Sequence, residues 1–176
     1  NKNGERITPL GYSDLSVGTN AKTGHQSVLT IIGTGGNQRQ GLMTSSGTVV
    51  IEPQFSAVLD DSGNERAYVE VPGKPKGAIL NMATGKFITE FIYDYPNTGK
   101  GPWLSWWNTN NEAKNVSVER DNLFSVIDST GKAILPFAFT KVWIFKSGAI
   151  IATHPSGLYS VFSPTGECWH KEKFTE

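Results

Sequence analysis

Short apolar stretches alternate with glycine-containing polar turns along the chain, and this pattern gives the first prediction of structure. Residues 27–32, 67–71, 103–107 and 149–153 are rich in β-branched or aromatic side chains and are flanked by glycine, proline or polar residues. Such runs are typical of β-strands, and no long window shows the period of an amphipathic helix. The pattern therefore predicts an all-β protein.

Five short turns share one form, in which mostly small or polar residues surround a central glycine. Their glycines are spaced 43, 38, 46 and 35 residues apart and are Gly4, Gly47, Gly85, Gly131 and Gly166. Glycine tolerates the positive φ that tight hairpins need. Periods of this size are typical of stacked or radial repeats. We expect one β-repeat domain spanning residues 1–176.

Positions counted from the turn glycines repeat in chemical character. The residue eight places later is always aromatic: Tyr12, Phe55, Tyr93, Phe139 and Phe174. The residue three places later is always large and apolar: Ile7, Val50, Ile88, Ile134 and Trp169. The residue five places earlier is aliphatic: Leu42, Leu80, Val126 and Val161. Aromatic residues at a fixed register pack between repeats, so we assign the first set to the core.

The predicted fold is a tandem array of about four to five three-stranded or hairpin repeats. A single unit cannot bury both faces of its strands, so neighbouring units must stack. The array is either an open solenoid-like or a propeller-like β stack.

These residues resemble the WG-repeat (KWG) proteins of bacteria. The best copy runs from Phe124 to Pro136 and includes the pairs Ile127-Asp128 and Gly131-Lys132, which match the family's Ile-Asp and Gly-Lys. The name-giving Trp-Gly pair is absent. Its place is taken by the pairs Gln40-Gly41, Lys76-Gly77, Phe124-Ser125 and Tyr159-Ser160. The resemblance covers nearly the whole chain and implies a β-repeat scaffold, with little chemistry.

Composition and charge exclude several function classes. Lys plus Arg and Asp plus Glu both number 16, so no electrostatic footprint for nucleic acid is present. The one cysteine, Cys168, excludes a disulfide framework. No apolar run approaches the roughly 20 residues of a membrane span. The N-terminus has neither a signal-peptide pattern nor an initiator Met. The chain fits a cytoplasmic protein or a processed extracytoplasmic fragment.

Catalytic and metal-binding patterns are incomplete. Cys168 and His170 are two residues apart on a predicted strand and would share a face, but no spaced pair completes a zinc site. The glycine-rich run 33–36 opens no helix, and no Gly-x-Ser-x-Gly elbow is present. We therefore predict no catalytic residue, no metal and no cofactor, and a protein that is not an enzyme. Asn115 begins a glycosylation sequon.

The longest interval between turn glycines contains the predicted binding site. Three of the five tryptophans lie within it, close to a run of asparagines. The candidate residues are Trp103, Trp106, Trp107, Asn108, Asn110 and Asn111. Tryptophan is enriched at interface hot spots. The competing interpretation is that all three tryptophans belong to the core.

Two function classes follow from these predictions. The first is a non-enzymatic module that binds another protein or an envelope polymer. The alternative is an immunity protein that neutralises a bacterial toxin by binding it, and this rests on fold-level analogy. A carbohydrate-active enzyme is more distant, because it needs two carboxylates facing one cleft.

Overall fold

The computed structural model describes residues 11–19, 26–33, 37–44, 46–61, 66–82, 84–95 and 114–172. These ranges contain fifteen β-strands, named β1 to β15 in chain order, and no α-helix. All paired strands are antiparallel. The predicted all-β repeat fold is therefore confirmed.

The strands form four small sheets, each a meander of consecutive strands. Sheet A contains β1 (Asp14–Thr19), β2 (Gln26–Ile32), β3 (Arg39–Thr44) and β4 (Val49–Phe55). Sheet B contains β5 (Ala57–Asp61), β6 (Arg66–Glu70), β7 (Gly77–Asn81) and β8 (Lys86–Phe87). Sheet C contains β9 (Val116–Arg120), β10 (Leu123–Ile127) and β11 (Ala133–Phe139). Sheet D contains β12 (Lys141–Ile144), β13 (Ile150–Thr153), β14 (Tyr159–Phe162) and β15 (Cys168–Glu172).

Three of the four sheets have four strands, one more than the three-stranded unit that we predicted. Four-stranded antiparallel meanders are the arrangement found in the blades of β-propellers. The chain divides into two compact units. Asn1–Phe91 holds sheets A and B, and Ile92–Glu176 holds sheets C and D.

The turn glycines close the last hairpin of each sheet. The N–H groups of Gly47, Gly131 and Gly166 donate to the carbonyl three residues earlier, at 3.0, 3.1 and 3.0 Å. The φ angles of these glycines are 92°, 87° and 88°, a region that residues with a Cβ rarely occupy. The residue that accepts is a Thr, Asp or Ser whose side-chain oxygen also accepts backbone N–H groups of the turn. The repeated glycine and the polar residues around it therefore form the same type of turn in sheets A, C and D.

The turn in sheet B is one residue longer than the other three. The N–H of Gly85 donates to the carbonyl of Asn81, four residues earlier, at 2.9 Å. One extra residue moves each preceding side chain to the opposite face. Leu80 thus corresponds to Phe162, and our alignment of Leu80 with Leu42 is wrong.

The longer turn at Gly85 also changes which residues of sheet B correspond to the WG-repeat motif. Ala78, rather than Gly77, takes the place of Gly41. Gly77 falls at the position that is aromatic in Phe124, and the ring of Tyr68 fills the space that a Cβ there would need. The glycine is therefore required by Tyr68 and does not represent the glycine of the repeat motif.

A β-bulge explains the apolar residue three places after each turn glycine. Leu42 pairs with Ile51 while Met43 pairs with Val49, so Val50 is the extra residue. Sheets C and D contain the same bulge, and their extra residues are Ile134 and Trp169. Val50 and Ile134 both pack against the core of their unit. The bulge therefore brings two consecutive side chains to the core side of the strand.

Among the described residues, a hydrophobic core lies between the two sheets of each unit. In sheets A and C, we call the face that packs on the second sheet of the same unit the front face; in sheets B and D, the front face is the one that carries the equivalent positions, and the opposite face of each sheet is its back face. In unit one the front face of sheet A packs on the back face of sheet B through Leu42, Ile51, Phe55, Val58, Ala67, Val69 and Leu80. In unit two the front face of sheet C packs on the back face of sheet D through Phe124, Val126, Leu135, Phe139, Val142, Ile150 and Ala152.

Three of the five aromatic residues of the repeat are buried, as we predicted. Phe55, Tyr93 and Phe139 are all buried, and Phe55 and Phe139 belong to the two cores. Tyr12 is half-buried. Phe174 lies outside the described residues.

A hydrogen bond one residue after each aromatic fixes the start of the next sheet. The N–H at this position donates to the carbonyl of the last or next-to-last residue of β2, β6, β9 or β13. The four pairs are Ser13 with Ile31 at 2.7 Å, and Ser56 with Glu70, Asp94 with Glu119 and Thr140 with Thr153, each at 2.8 Å. Ser13 stands nine residues after Gly4, so the copy that begins at Gly4 follows the same register.

Candidate binding surface

The predicted binding residues lie outside the described part of the chain. Trp103, Trp106, Trp107, Asn108, Asn110 and Asn111 all fall between residues 96 and 113. Their role therefore stays a prediction. A separate prediction is corrected. We grouped residues 103–107 with the segments that form β2, β6 and β13, but in sheet C the strand that pairs with β10 in the equivalent position is β9.

The front faces of sheets A and C are closed by the sheet that follows each of them. In sheet A, Leu42 and Ile51 are buried beneath β5 and β6. In sheet C, the equivalent residues Val126 and Leu135 are buried against β12 and β13. Phe124, seven residues before its turn glycine, is also buried. These positions define what a covered front face looks like in this protein.

The same positions in sheet D are open. Tyr159, the equivalent of Phe124, has 40% of its surface exposed, and Trp169, the equivalent of Ile134, has 57% exposed. His170, the equivalent of Leu135, is exposed, and Val161, the equivalent of Val126, is half-buried. We call these four residues the sheet D front face. They are the candidate binding surface.

The register of sheet D extends this surface across all four strands. Trp143, Ile151, Val161 and His170 stand opposite one another in a row from β12 to β15. Side chains directly opposite one another share a face of the sheet. Trp143 and Ile151 are half-buried, so the row offers apolar area beside the exposed aromatic rings.

The composition of the surface suits recognition of a protein. Tyrosine and tryptophan supply large rigid area with a polar group at one end, and both are enriched at interface hot spots. An exposed apolar patch on a soluble domain commonly marks an interaction site. The aliphatic pairs that stand here in sheets A and C, Val50-Ile51 and Ile134-Leu135, are replaced in sheet D by Trp169 and His170.

These residues have no predicted binding role in the sequence, where Trp169 occupies the repeated apolar position and Tyr159-Ser160 takes the place of the Trp-Gly pair. The missing information was that no described sheet covers sheet D's front face. The available signal was the change from the aliphatic pairs Val50-Ile51 and Ile134-Leu135 to Trp169 and His170.

Cys168 and His170 do not share a face, in contrast to our prediction. Cys168 stands opposite Phe162, whereas His170 stands opposite Val161. In a regular strand, residues two apart share a face. The extra residue Trp169 in the bulge shifts this alternation by one, so Cys168 and His170 lie on opposite faces of sheet D. Among the described residues, no group of three or more His, Cys, Asp or Glu side chains is placed to hold a metal ion.

His154 and Ser160 form the kind of pair found in nucleophilic catalysis, but the hydroxyl is inaccessible. His154 Nε2 lies 2.9 Å from Ser160 Oγ, and Ser160 is only 2% exposed. The imidazole also packs on Phe139, with ring centroids 4.9 Å apart. The pair joins the turn after β13 to β14 and to the core, which is a structural role.

The glycosylation sequon at Asn115 is closed in the folded protein. Asn115 is 2% exposed, and its Nδ2 donates to the carbonyl oxygen of Pro164 at 2.7 Å. This bond connects the start of β9 to the last turn of sheet D. An amide nitrogen in this position cannot carry a glycan without opening the contact.

Comparisons with known proteins support the repeat assignment. Residues 41–74 and 124–153 match the family model described as WG containing repeat. These stretches contain the two turns with the same bulge and register in sheets A and C. The resemblance to degenerate WG repeats is therefore confirmed over both stretches. No curated protein matches the sequence significantly.

Solved structures show likeness at low sequence identity. The C-terminal WD40 domain of Sif2 matches with a TM-score of 0.42 and 11% identity, over 96% of this chain. The chain spans 50% of the length of that structure. Within the described residues, no helix has the length and hydropathy needed to cross a membrane.

Proposed function

We propose that this chain of degenerate WG-type repeats is a non-enzymatic binding module that recognises another protein through the sheet D front face. The observation that supports this proposal is the contrast between equivalent positions. Phe124 is 6% exposed under sheet D, whereas its equivalent Tyr159 is 40% exposed. Leu135 is 3% exposed, whereas its equivalent His170 is exposed. Trp169, the equivalent of the half-buried Ile134, is 57% exposed. A surface built like an internal sheet contact but left open is suited to a partner.

The energetics favour a protein partner over a small molecule. A protein interface gains affinity from a few large residues surrounded by less critical contacts. Trp169 and Tyr159 have the size for that role, and Trp143, Ile151 and Val161 supply the adjoining apolar area. The predicted segment from Trp103 to Asn111 is a second proposed contact, which rests on its sequence alone.

A comparison of three single variants tests the proposal. Trp169→Ser and Tyr159→Ser remove front-face rings, and Phe145→Ser is the matched control. Phe145 is 49% exposed where the turn between β12 and β13 begins, and it is not one of the four residues of the sheet D front face. The immobilised proteins are incubated with extract from the source cells, and each retained protein is quantified by mass spectrometry.

We expect the two front-face variants to lose the same retained protein, which the wild type and Phe145→Ser keep. With that protein purified, calorimetry should show binding weakened by about 2 kcal/mol or more for Trp169→Ser. Equal retention by all four proteins, with all four folded, would reject the front face as the site. The toxin-neutralising alternative has no feature of its own among the described residues.

A further inference from the structure

We propose that the protein bound by the sheet D front face places a carboxylate group against Lys141, Thr153 and Tyr159, three residues that we call the polar row. The inference rests on the proposed function, because it names a chemical feature of the partner of that surface. It follows from a buried hydroxyl group without a hydrogen bond and from the two residues that stand beside it.

The hydroxyl group belongs to Thr153, at the end of β13. Thr153 is 7% exposed, and its Oγ1 is buried with no hydrogen-bond partner among the described residues. Its carbonyl oxygen, by contrast, accepts from the N–H and the hydroxyl of Thr140, at 2.8 and 3.3 Å. A buried hydroxyl without a partner destabilises a folded protein. The free protein therefore keeps a polar atom whose hydrogen bond another molecule can supply.

The register of sheet D places this hydroxyl in a row with two exposed residues. Thr153 stands opposite Lys141 on β12 and opposite Tyr159 on β14. Directly opposite residues share a face, so Thr153 lies on the face that carries Tyr159. Lys141 and Tyr159 are both exposed, and exposed side chains change rotamer rapidly. A partner that moves them aside can therefore reach the hydroxyl between them.

The chemistry of the polar row suits a carboxylate. The Lys141 ammonium group only donates hydrogen bonds, and the hydroxyl groups of Thr153 and Tyr159 can both donate. An ionised carboxylate only accepts, and its two oxygens take several hydrogen bonds, which are stronger than those between neutral groups. The neighbouring row of Trp143, Ile151 and Val161 is apolar. The matching feature of a partner is an acidic residue beside an apolar one.

Two other sheets carry a carboxylate of their own at the position of Thr153. The equivalent residues, whose carbonyls accept the same anchoring hydrogen bond, are Glu70 in sheet B and Glu119 in sheet C. Glu119 is 5% exposed and stands opposite Phe124, on the covered front face of sheet C. Glu70 Oε1 accepts from the hydroxyl of Tyr68 at 2.9 Å. In sheet D a hydroxyl takes this place, and the partner supplies the carboxylate.

Thr153→Val tests the hydroxyl, because it replaces that group by a methyl group. Thr30→Val is the matched control: Thr30 is 1% exposed, and its Oγ1 is also buried without a partner in the described part of the chain. We expect both variants to melt at a higher temperature than the wild type, since each loses an unpaired buried hydroxyl. Only Thr153→Val should weaken binding of the protein retained by the wild type and lost by Trp169→Ser. Calorimetry should show a loss of about tenfold or more.

Lys141→Met tests the charge, and Lys146→Met, at an exposed lysine in the turn between β12 and β13, is its control. We expect Lys141→Met to weaken binding about threefold or more. It should also reduce the dependence of affinity on sodium chloride, because salt screens an exposed ion pair. Lys146→Met should keep the affinity and the salt dependence of the wild type.

Three results would overturn the inference: Thr153→Val binds like the wild type, Thr153→Val melts below the wild type, or Lys141→Met keeps the full salt dependence. If the wild type retains no protein, the proposed function fails, and sodium acetate then serves as the probe. Acetate is titrated into isotope-labelled protein, with sodium chloride as the control. Resonance shifts at the polar row with acetate alone would support the carboxylate site, and their absence would overturn it.

Discussion

Gly41 shows how closely two strands approach within one repeat. A Cβ at Gly41 would meet the backbone of β4 at the Ile51 carbonyl and at the nitrogen of Pro53. The equivalent residue in sheet C is Ser125, whose Oγ donates to the Leu135 carbonyl at 2.6 Å. Leu135 is itself the equivalent of Ile51. A small residue is thus required at this position of the motif because the backbone of the neighbouring bulged strand, β4 or β11, lies close to it.

Gly41→Ala should destabilise the protein by about 1–3 kcal/mol, because the added methyl group forces β3 and β4 apart. Ser125→Ala is the comparison, since it removes one hydrogen bond and adds no atom, and it should cost about 0.5–1.5 kcal/mol. Urea denaturation measures both. An unchanged midpoint for Gly41→Ala would show that the strands have room for a side chain.

Asp128 organises the turn at Gly131. Its Oδ1 accepts hydrogen bonds from Thr130 Oγ1 at 2.6 Å, Thr130 N at 2.8 Å and Lys132 N at 3.0 Å. Burial raises the pKa of the carboxyl, but these hydrogen bonds and the charge of Lys132 lower it, and the net pKa is below the usual value. The ionised form is therefore favoured in the folded state.

This shift predicts the direction of a pH effect. Because the pKa of Asp128 is lower in the folded state than the unfolded-state pKa of about 3.9, its carboxylate stabilises the folded protein at pH values above about 3.9. This contribution is lost as the pH falls through the folded-state pKa. Asp128→Asn should therefore lose less stability than wild type between about pH 5 and about pH 3. Thermal melts at several pH values measure this. Parallel curves for the two proteins would remove Asp128 from the pH dependence.

At the scale of strands and sheets, the aromatic residue at the end of the last strand of sheets A and C joins each of them to the next sheet of its unit. Phe55 ends β4 and packs on β5 and β6, and Phe139 ends β11 and packs on β12 and β13. Phe139 also meets Phe162 edge to face, at a centroid distance of 5.7 Å. The next residue begins the following sheet with its anchoring hydrogen bond. Two consecutive residues therefore fix both the packing between the two sheets of a unit and the connection from the first sheet to the second.

Phe55→Ala and Phe139→Ala should each cost about 3–5 kcal/mol, the usual range for a buried phenylalanine. Phe145→Ala is the control, because this exposed side chain should change stability by no more than about 0.5 kcal/mol. Chemical denaturation gives all three values. A loss below about 1 kcal/mol for both core variants would contradict their assignment to the core.

At the scale of the whole molecule, one sheet pair recurs along the chain. The pairing of Gln40 with Phe55 and of Leu42 with Ile51 in sheet A returns as Phe124 with Phe139 and Val126 with Leu135 in sheet C. Each unit is thus a front face packed on a back face. Within the described residues this arrangement ends at the sheet D front face, and the long interval that contains Trp103 departs from the repeat in its sequence.

Substitution of Trp103, Trp106 and Trp107 by alanine, one at a time, tests the role of that interval. We expect at least one variant to retain its unfolding midpoint and to weaken binding of the native partner by about 2 kcal/mol or more. A tryptophan in the core would instead lower stability by about 3–5 kcal/mol. If all three destabilise the fold and changes at Asn108, Asn110 and Asn111 leave binding intact, the interval has only a structural role.

The sequence by itself determined the features that depend on local chemistry. Positive φ requires glycine in the turns, so the turns at Gly47, Gly131 and Gly166 were visible as a repeat. Burial requires apolar side chains, so the aromatics at Phe55 and Phe139 identified the core. These constraints act within a few residues, and each copy carries them independently.

Only the tertiary structure decided how those elements face one another. The bulge at Trp169 and the longer turn at Gly85 each change the alternation of side chains, and periodicity along a strand cannot show either. Exposure of Tyr159 and Trp169 depends on whether another sheet lies against sheet D, which is a property of distant parts of the chain. For this reason the same repeat position belongs to the core in sheet C, as Phe124, and to the surface in sheet D, as Tyr159.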